Sequence, residues 1–160
     1  MHITVKPHHL LDYLAELVEF NGVFPPAPPS GSDYFRIGNL LAAGEIDAVT
    51  FTKDADDPCG PCKKLVDGIC TDAFTTPEAI AFNEGFTRKY DYNMKMDTDL
   101  EQALPCVFAC GQERSIDEVF ALLTEKLTPE IILLTWKKKN RVENTYKGLD
   151  MAIQARANKK

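Results

Sequence analysis

The stretch 56–70 reads Asp-Asp-Pro-Cys-Gly-Pro-Cys-Lys-Lys-Leu-Val-Asp-Gly-Ile-Cys and places three of the five cysteines within twelve positions. Prolines and glycines before, within and after the pair Cys59 and Cys62 let the backbone turn back on itself. Such a turn directs both sulfurs inward, and closing the short loop to Cys70 costs little entropy. The stretch therefore predicts a compact thiol site in a loop, around which the regular elements are arranged.

The segments on both sides of this loop predict an α+β protein that is mainly helical, with a small number of short strands. A β-branched, alternating strand at 48–52 leads directly into the loop. A short strand is expected at 3–5 and a helix at 8–20, with Pro7 in its first turn and leucines at helical spacing. Further helices are expected at 34–43, from 76 to about 90, at 99–104, at 115–127, from 128 onward and at 140–157.

Length and composition place the chain in the class of ordinary globular proteins. Its 160 residues suffice for one domain, 1–160, with 44% hydrophobic and 26% charged residues. The net charge of -6 speaks against general nucleic-acid binding, which requires clustered Lys and Arg. No apolar run reaches a membrane span, and the N-terminus lacks an apolar signal core. We expect a cytoplasmic protein that does not contact membranes.

Clustered cysteines in such a chain indicate ligands, catalytic groups or core residues more than disulfides. Three thiolates and one imidazole form a set that suits tetrahedral zinc. The spacing of Cys59, Cys62 and Cys70 also suits three ligands of an iron–sulfur cluster. Zinc sites commonly take four cysteines, or three cysteines and one histidine, and both interpretations need a fourth ligand that the loop itself does not supply.

Thiol–disulfide exchange is a third interpretation, because Cys-Gly-Pro-Cys is the tetrapeptide of thioredoxins. Two features speak against it. Asp54, Asp56 and Asp57 would raise the pKa of a neighbouring thiol, whereas exchange chemistry needs that pKa lowered. The helical pattern that should follow the motif stops by Gly68. The simplest alternative is that the cysteines are small buried hydrophobic residues in a loop.

Two groups of residues are candidates for the fourth ligand. His8, His9 and Asp12 share one neighbourhood at the start of the first predicted helix, opposite its apolar stripe. Cys106 and Cys110 would stand one turn apart if their segment is helical, in surroundings that otherwise suit buried core cysteines. The residues alone leave both groups open.

The segment Lys-Pro-His-His-Leu-Leu at 6–11, the Asp-Asp-Pro-Cys-Gly-Pro-Cys loop and Cys70 together resemble the domain-of-unknown-function 1284 family. These are small prokaryotic proteins labelled as iron–sulfur-binding. The stretch 117–130 is similar to a later helix of that family, so the resemblance spans most of the chain. This chain departs from the family pattern at Asp12, where the family has a cysteine, and around Trp136, where a second cysteine cluster is missing.

The resemblance implies that the N-terminal helix meets the cysteine loop, and the departures favour zinc over a cluster. We therefore predict a structural zinc site of the Cys3His type formed by Cys59, Cys62, Cys70 and His9. His8 and Asp12 are the alternatives for the fourth position. An iron–sulfur electron-transfer or redox protein is the alternative function. A site with every position filled indicates a binding or regulatory module more than an enzyme, and the sequence identifies no partner.

Overall fold

The computed structural model describes residues 1–160 and shows eight helices with five short strands. In chain order the elements are β1 (His2–Val5), α1 (Pro7–Glu19), α2 (Tyr34–Ala42), β2 (Ala48–Phe51), β3 (Leu65–Val66), β4 (Ile69–Cys70), α3 (Pro77–Phe82), α4 (Lys89–Ala103), α5 (Pro105–Phe108), β5 (Glu113–Ser115), α6 (Ile116–Lys126), α7 (Pro129–Ile132) and α8 (Arg141–Lys159). The predicted class, α+β and mainly helical, is confirmed.

The strands form two separate sheets. In the larger sheet β2 is central, parallel to β1 and antiparallel to β5, with Ile3 opposite Val49 and Ala48 opposite Ser115. Strands β3 and β4 form a small antiparallel hairpin on their own. The larger sheet places the end of β1 beside the end of β2, so the chain that leaves β2 passes close to the start of α1.

Helix α1 is the centre of the fold. It packs most extensively against α8 and also contacts α4 and α2. The crossing with α8 is close because Gly148 has no side chain: a Cβ there would overlap the Leu14 carbonyl oxygen. Buried apolar side chains from the larger sheet and from most of the helices form one cluster of 25 residues, which includes Leu11, Phe51 and Val119.

Two of the helix predictions are wrong in their boundaries. The helix expected from 76 to about 90 ends at Phe82, because Asn83 folds its side-chain amide back onto the Ala79 carbonyl and the backbone then turns left-handed at Glu84 and Gly85. The short helix expected at 99–104 is the last turn of α4, which starts at Lys89. Ser115 precedes α6 as expected, but its side chain makes no capping hydrogen bond.

None of the eight helices combines the length and hydrophobicity that crossing a bilayer requires.

Candidate metal centre

The predicted site residues surround one cleft of about 440 Å³ between the start of α1, the cysteine loop and the N-terminal half of α4. Its lining includes the three loop cysteines and both histidines of α1, together with Asp12. Side chains from the proline-rich segment 28–35, α4 and Trp136 complete the walls. The fold therefore brings the histidines of α1 and the cysteines of the loop to the same cleft.

The two histidines lie in the first turn of α1. The backbone N–H groups at this helix start donate to side chains from other parts of the fold. Pro7 occupies the first helical position, where a missing N–H costs nothing. The backbone N–H of His8 donates to Asp97 Oδ1 on α4 at 2.9 Å, and that of Lys6 donates to Asp56 Oδ2 at 2.8 Å. Two buried carboxylates thus cap the helix start in place of a local capping residue.

The same two carboxylates hold the imidazole rings. His9 Nδ1 lies 2.6 Å from Asp56 Oδ2, and His8 Nδ1 lies 2.8 Å from Asp97 Oδ1. A carboxylate acceptor at Nδ1 places the proton of a neutral ring on that nitrogen and leaves the lone pair on Nε2. Both rings line the cleft, and the hydrogen bonds that the rings make are those at Nδ1. This arrangement prepares an imidazole for metal coordination.

Asp56 is the central acceptor of the site. It is 4% exposed, and besides His9 and Lys6 it accepts the backbone N–H of Cys59 on Oδ1 at 3.2 Å. Burial opposes ionisation of Asp56, but the charge and hydrogen bond of His9 outweigh it and hold the pKa of Asp56 below its ordinary value. Burial also opposes protonation of His9, yet the same pairing raises the pKa of that imidazole. The Asp56 carboxylate and the His9 imidazole thus each stabilise the charged form of the other.

Cys59 lies beside the pair formed by His9 and Asp56. A ring nitrogen of His9, a carboxylate oxygen of Asp56 and Cys59 Sγ all lie within 4.8 Å of one another. Burial, and then the charge of Asp56, raise the pKa of the Cys59 thiol to about 12. The thiol is therefore protonated at neutral pH, and a metal cation would have to replace its proton.

Cys62 and Cys70 approach the cleft from two turns of the loop. Cys62 N–H donates to the Cys59 carbonyl at 2.9 Å, which closes the Cys-x-x-Cys turn. Cys70 ends the β3–β4 hairpin, whose two-residue turn has both Asp67 and Gly68 in the left-handed region. All five cysteines of the chain are free and half-buried. The loop therefore brings three thiols to the lining of the cleft, and of these Cys59 alone belongs to the compact group with His9 and Asp56.

The alternatives for the fourth ligand are already engaged. Asp12 Oδ1 lies 2.5 Å from Arg141 Nη2 on α8, an ion pair that Thr135 joins. His8 lines the cleft but is absent from the compact group that holds His9 and Cys59. Of the three predicted residues on α1, His9 is thus the one that the fold places beside a loop thiol.

Cys106 and Cys110 lie outside the cleft. Helix α5 ends at Phe108, so the two cysteines do not stand one helical turn apart on one face. Both pack against the hydrophobic core, and the backbone N–H of Cys110 donates to Glu101 Oε2 at 2.9 Å. They contribute nothing to the cluster of His9, Asp56 and Cys59.

The residues that orient the site carry no sequence signal that identifies this role. Asp56 was visible only as an acidic neighbour of the cysteines, and Asp97 lies 89 positions from the histidine that it holds. Glu16 and Tyr34, which share a hydrogen bond of 2.7 Å in the cleft wall, carry no motif. A buried carboxylate opposite a metal-binding histidine is a common arrangement, but only the tertiary structure shows which carboxylate is used.

The fold and site together define a mainly helical α+β protein with a histidine, carboxylate and thiol cluster in a cleft. No family model, curated protein sequence or solved structure matches the chain. The resemblance to the domain-of-unknown-function 1284 family thus stays a prediction.

Proposed function

We propose that the protein binds one zinc ion through Cys59, Cys62, Cys70 and His9. The observation that carries this proposal is the orientation of His9: its Nδ1 is tied to a buried carboxylate, and a loop thiol lies beside the ring. A second acceptor at Nδ1 is the usual way in which proteins orient a metal-binding histidine. Asp56 then supports the site without being a ligand, since its oxygens already accept three hydrogen bonds.

The donor set supports zinc over harder cations. Thiolate and imidazole are the ligands that zinc prefers, whereas magnesium and calcium take oxygen ligands. Binding would replace the protons of three thiols with a divalent charge. Burial and the charge of Asp56 disfavour the thiolate form of Cys59. A bound cation would supply the positive charge that offsets both effects.

The proposed ion has a structural task, because hydrogen bonds hold only the first part of the cysteine loop against β1 and α1. Asp57 exchanges two hydrogen bonds with the backbone of Thr4, at 2.7 and 3.0 Å, and Asp56 caps the helix start. The hairpin that carries Cys70 has no comparable link to α1. A zinc ion shared by Cys59, Cys70 and His9 would fasten the hairpin to the helix, as in small domains that fold around a metal.

The same thiols would serve the alternative, an iron–sulfur electron-transfer protein. The imidazole beside Cys59 favours zinc, because thiolates are the usual cluster ligands. Thiol–disulfide exchange has less support. Exchange needs a thiolate near neutral pH, and the raised pKa of Cys59 works against one.

Zinc titration of two cysteine variants tests the proposal. Cys70→Ser should lower both the bound zinc and the thermal stability, since it removes one ligand and releases the hairpin. Cys106→Ser is the matched control: it removes a half-buried thiol outside the cleft and should leave the zinc stoichiometry unchanged. Full zinc binding by Cys70→Ser would remove that residue from the site.

A further inference from the structure

The turn 59–62, which carries two of the loop thiols, is held in place on both of its sides. Before the turn, Asp57 exchanges two hydrogen bonds with the backbone of Thr4 on β1, at 2.7 and 3.0 Å. After the turn, the backbone N–H of Lys63 donates to the Ser30 carbonyl at 2.7 Å. These contacts fix the path of the chain into the turn and out of it.

The proline-rich segment 28–35 also holds the residue just before the turn. The backbone N–H of Asp33 and the hydroxyl of Ser32 both donate to the Pro58 carbonyl, at 3.0 and 2.9 Å. Pro58 itself is buried. Strand β1 and the segment 28–35 thus hold the turn between them, through bonds that protein groups alone provide.

The two thiols of this turn are close enough along the backbone to form a disulfide. The Cys62 N–H donates to the Cys59 carbonyl at 2.9 Å, which closes a turn of the β type. In such a turn the first and fourth Cα atoms lie less than about 7 Å apart, and disulfides usually join Cα atoms about 4.4–6.8 Å apart. Both cysteines are free in the structure. An S–S bond can therefore form here without displacing the chain on either side.

Cys70 is attached to a different part of the fold. It ends the hairpin of β3 and β4, and the chain that follows it is joined to the start of α4, where the Lys89 N–H donates to the Asp72 carbonyl at 3.1 Å. The hairpin has no hydrogen bond to α1. In the proposed site, the zinc ion is the link between Cys70 and His9.

Cys62 is the thiol of the turn that an oxidant reaches more easily. It lies between the exposed residues Pro61 and Lys63, whereas Cys59 follows the buried Pro58. Thiols must lose their protons to bind zinc, so both sulfurs of a zinc-loaded turn are thiolates. The thiolate is the nucleophilic form of cysteine. A zinc-loaded turn therefore presents an accessible thiolate with a second thiolate beside it.

From this arrangement we infer that Cys59 and Cys62 form an oxidation site, at which a hydroperoxide releases the zinc ion. The Cys62 thiolate attacks the O–O bond, which breaks: one oxygen stays on sulfur as a sulfenic acid, and the other leaves and is protonated to an alcohol or water. The Cys59 thiolate then attacks the oxidised sulfur, an S–S bond forms, and the hydroxide that leaves is protonated to water. The two sulfurs lose two electrons, and the hydroperoxide gains them.

This inference rests on the proposed zinc function, since it describes how the same site is regulated. The disulfide removes two of four ligands, and Cys70 and His9 alone do not make a tetrahedral site. The ion leaves, and Cys70 takes up a proton. The hairpin then loses its link to α1, while β1 and the segment 28–35 still hold the turn. Oxidation thus frees the hairpin and leaves the first part of the loop in place.

Peroxide treatment of the full-length, zinc-loaded protein tests the inference. Hydrogen peroxide is the oxidant, and a chromophoric chelator measures the released zinc. After alkylation of the free thiols, trypsin yields peptide 54–63, which contains Cys59 and Cys62, and peptide 65–88, which contains Cys70. Peptide 54–63 should lack two hydrogens and escape alkylation, in a one-to-one ratio with the released zinc. Peptide 65–88 should stay alkylated, and a thiol reductant should restore zinc binding.

Cys106→Ser is the matched control for this experiment. It removes a half-buried thiol that packs against the core, outside the cleft. The variant should release its zinc at the same peroxide concentration as the parent, with the same disulfide in peptide 54–63. Protection of the zinc by Cys106→Ser would place the reactive thiol outside the loop and overturn the inference.

Three further results would overturn the inference while leaving the zinc proposal intact: zinc that stays bound in a molar excess of peroxide, a disulfide that joins peptide 65–88, or release that a thiol reductant does not reverse. Protein that takes up no zinc before peroxide is added would overturn the zinc proposal, and the inference with it. The zinc content measured before oxidation therefore separates the two failures.

Discussion

His9 and Asp56 form a hydrogen bond of 2.6 Å between Nδ1 and Oδ2, across 47 positions of sequence. The same carboxylate accepts backbone N–H groups from Lys6 at the start of α1 and from Cys59 in the loop. One buried side chain therefore sets the position of the helix start, the orientation of the imidazole and the entry of the thiol turn. Substitution of Asp56 should therefore weaken metal binding, although Asp56 is not a proposed ligand.

Asp56→Asn should weaken zinc binding by about 10–100-fold, the usual effect of removing a carboxylate behind a metal-binding histidine. The amide keeps the size of the side chain but lacks the charge that holds the proton on His9 Nδ1. Competition with a chromophoric chelator measures the affinity. Asp57→Asn is the control, since Asp57 contacts Thr4 and makes no hydrogen bond to His9. Equal losses of zinc affinity in the two variants would contradict the role of Asp56 in orienting His9, because both variants weaken the attachment of the loop.

The two adjacent histidines should behave differently when each is replaced by alanine. His9→Ala should reduce zinc affinity strongly. His8→Ala should retain zinc but lose about 1–3 kcal/mol of unfolding free energy, because the fully buried Asp97 carboxylate loses its side-chain partner and keeps only the backbone N–H of residue 8. Zinc titration and urea denaturation of both variants measure the two effects. Loss of zinc from His8→Ala, with His9→Ala unaffected, would reverse the assignment of the fourth ligand.

The start of the chain was predictable because its local signals agree with its tertiary setting. Pro7, the leucines at helical spacing and the β-branched strand before the loop all indicate what the structure contains. The hairpin of β3 and β4 also had a signal: Asp67 and Gly68 form an Asp-Gly pair, a common two-residue hairpin turn, although strands of two residues carry no periodicity.

Helix α4 was not predictable over most of its length, because its sequence is largely polar and its buried face includes Asn93 and Asp97. Those polar residues are buried because they meet the start of α1 and the cleft, which periodicity cannot show. The position of Arg141 is similar. In the sequence Arg141 follows Lys137, Lys138 and Lys139 closely, a pattern typical of a solvated surface. In the structure it is buried in an ion pair with Asp12, 129 positions away.

Glu16 should make stability depend on pH. Its folded-state pKa of about 7 lies above the ordinary value of 4.5, chiefly because of burial and then because of Asp12. The native state therefore binds more protons than the unfolded state between these values, and its stability falls as pH rises from about 4.5 to 7.

Glu16→Gln removes this dependence. The variant should resemble the parent near pH 4.5 and exceed its stability by about 1–2 kcal/mol at pH 8, after allowance for partial exposure, or roughly 2–8 °C in melting temperature. Thermal melts at pH 4.5, 6, 7 and 8 measure the difference, with Glu19→Gln as the exposed control. A constant difference across that range would contradict the raised pKa of Glu16.

Gly148→Ala should destabilise the fold severely. The added methyl group would overlap the Leu14 carbonyl oxygen, and neither backbone can move without separating α1 from α8. We expect a loss of about 3 kcal/mol or more. Gly60→Ala is the matched control, since its new methyl group would meet nothing closer than 3.6 Å. Urea midpoints that fall equally in the two variants would contradict the close crossing of α1 and α8.

Elemental analysis of the native protein, purified without oxygen and without added metal, is the sharpest test of zinc binding at the cysteine loop. We expect a colourless protein with about one zinc per chain, and both the zinc and the thermal stability should be lost when a chelator is added. A brown protein containing iron and inorganic sulfide would contradict the zinc assignment in favour of a cluster. A stable protein without bound metal that takes up no zinc when reduced would contradict the metal site itself.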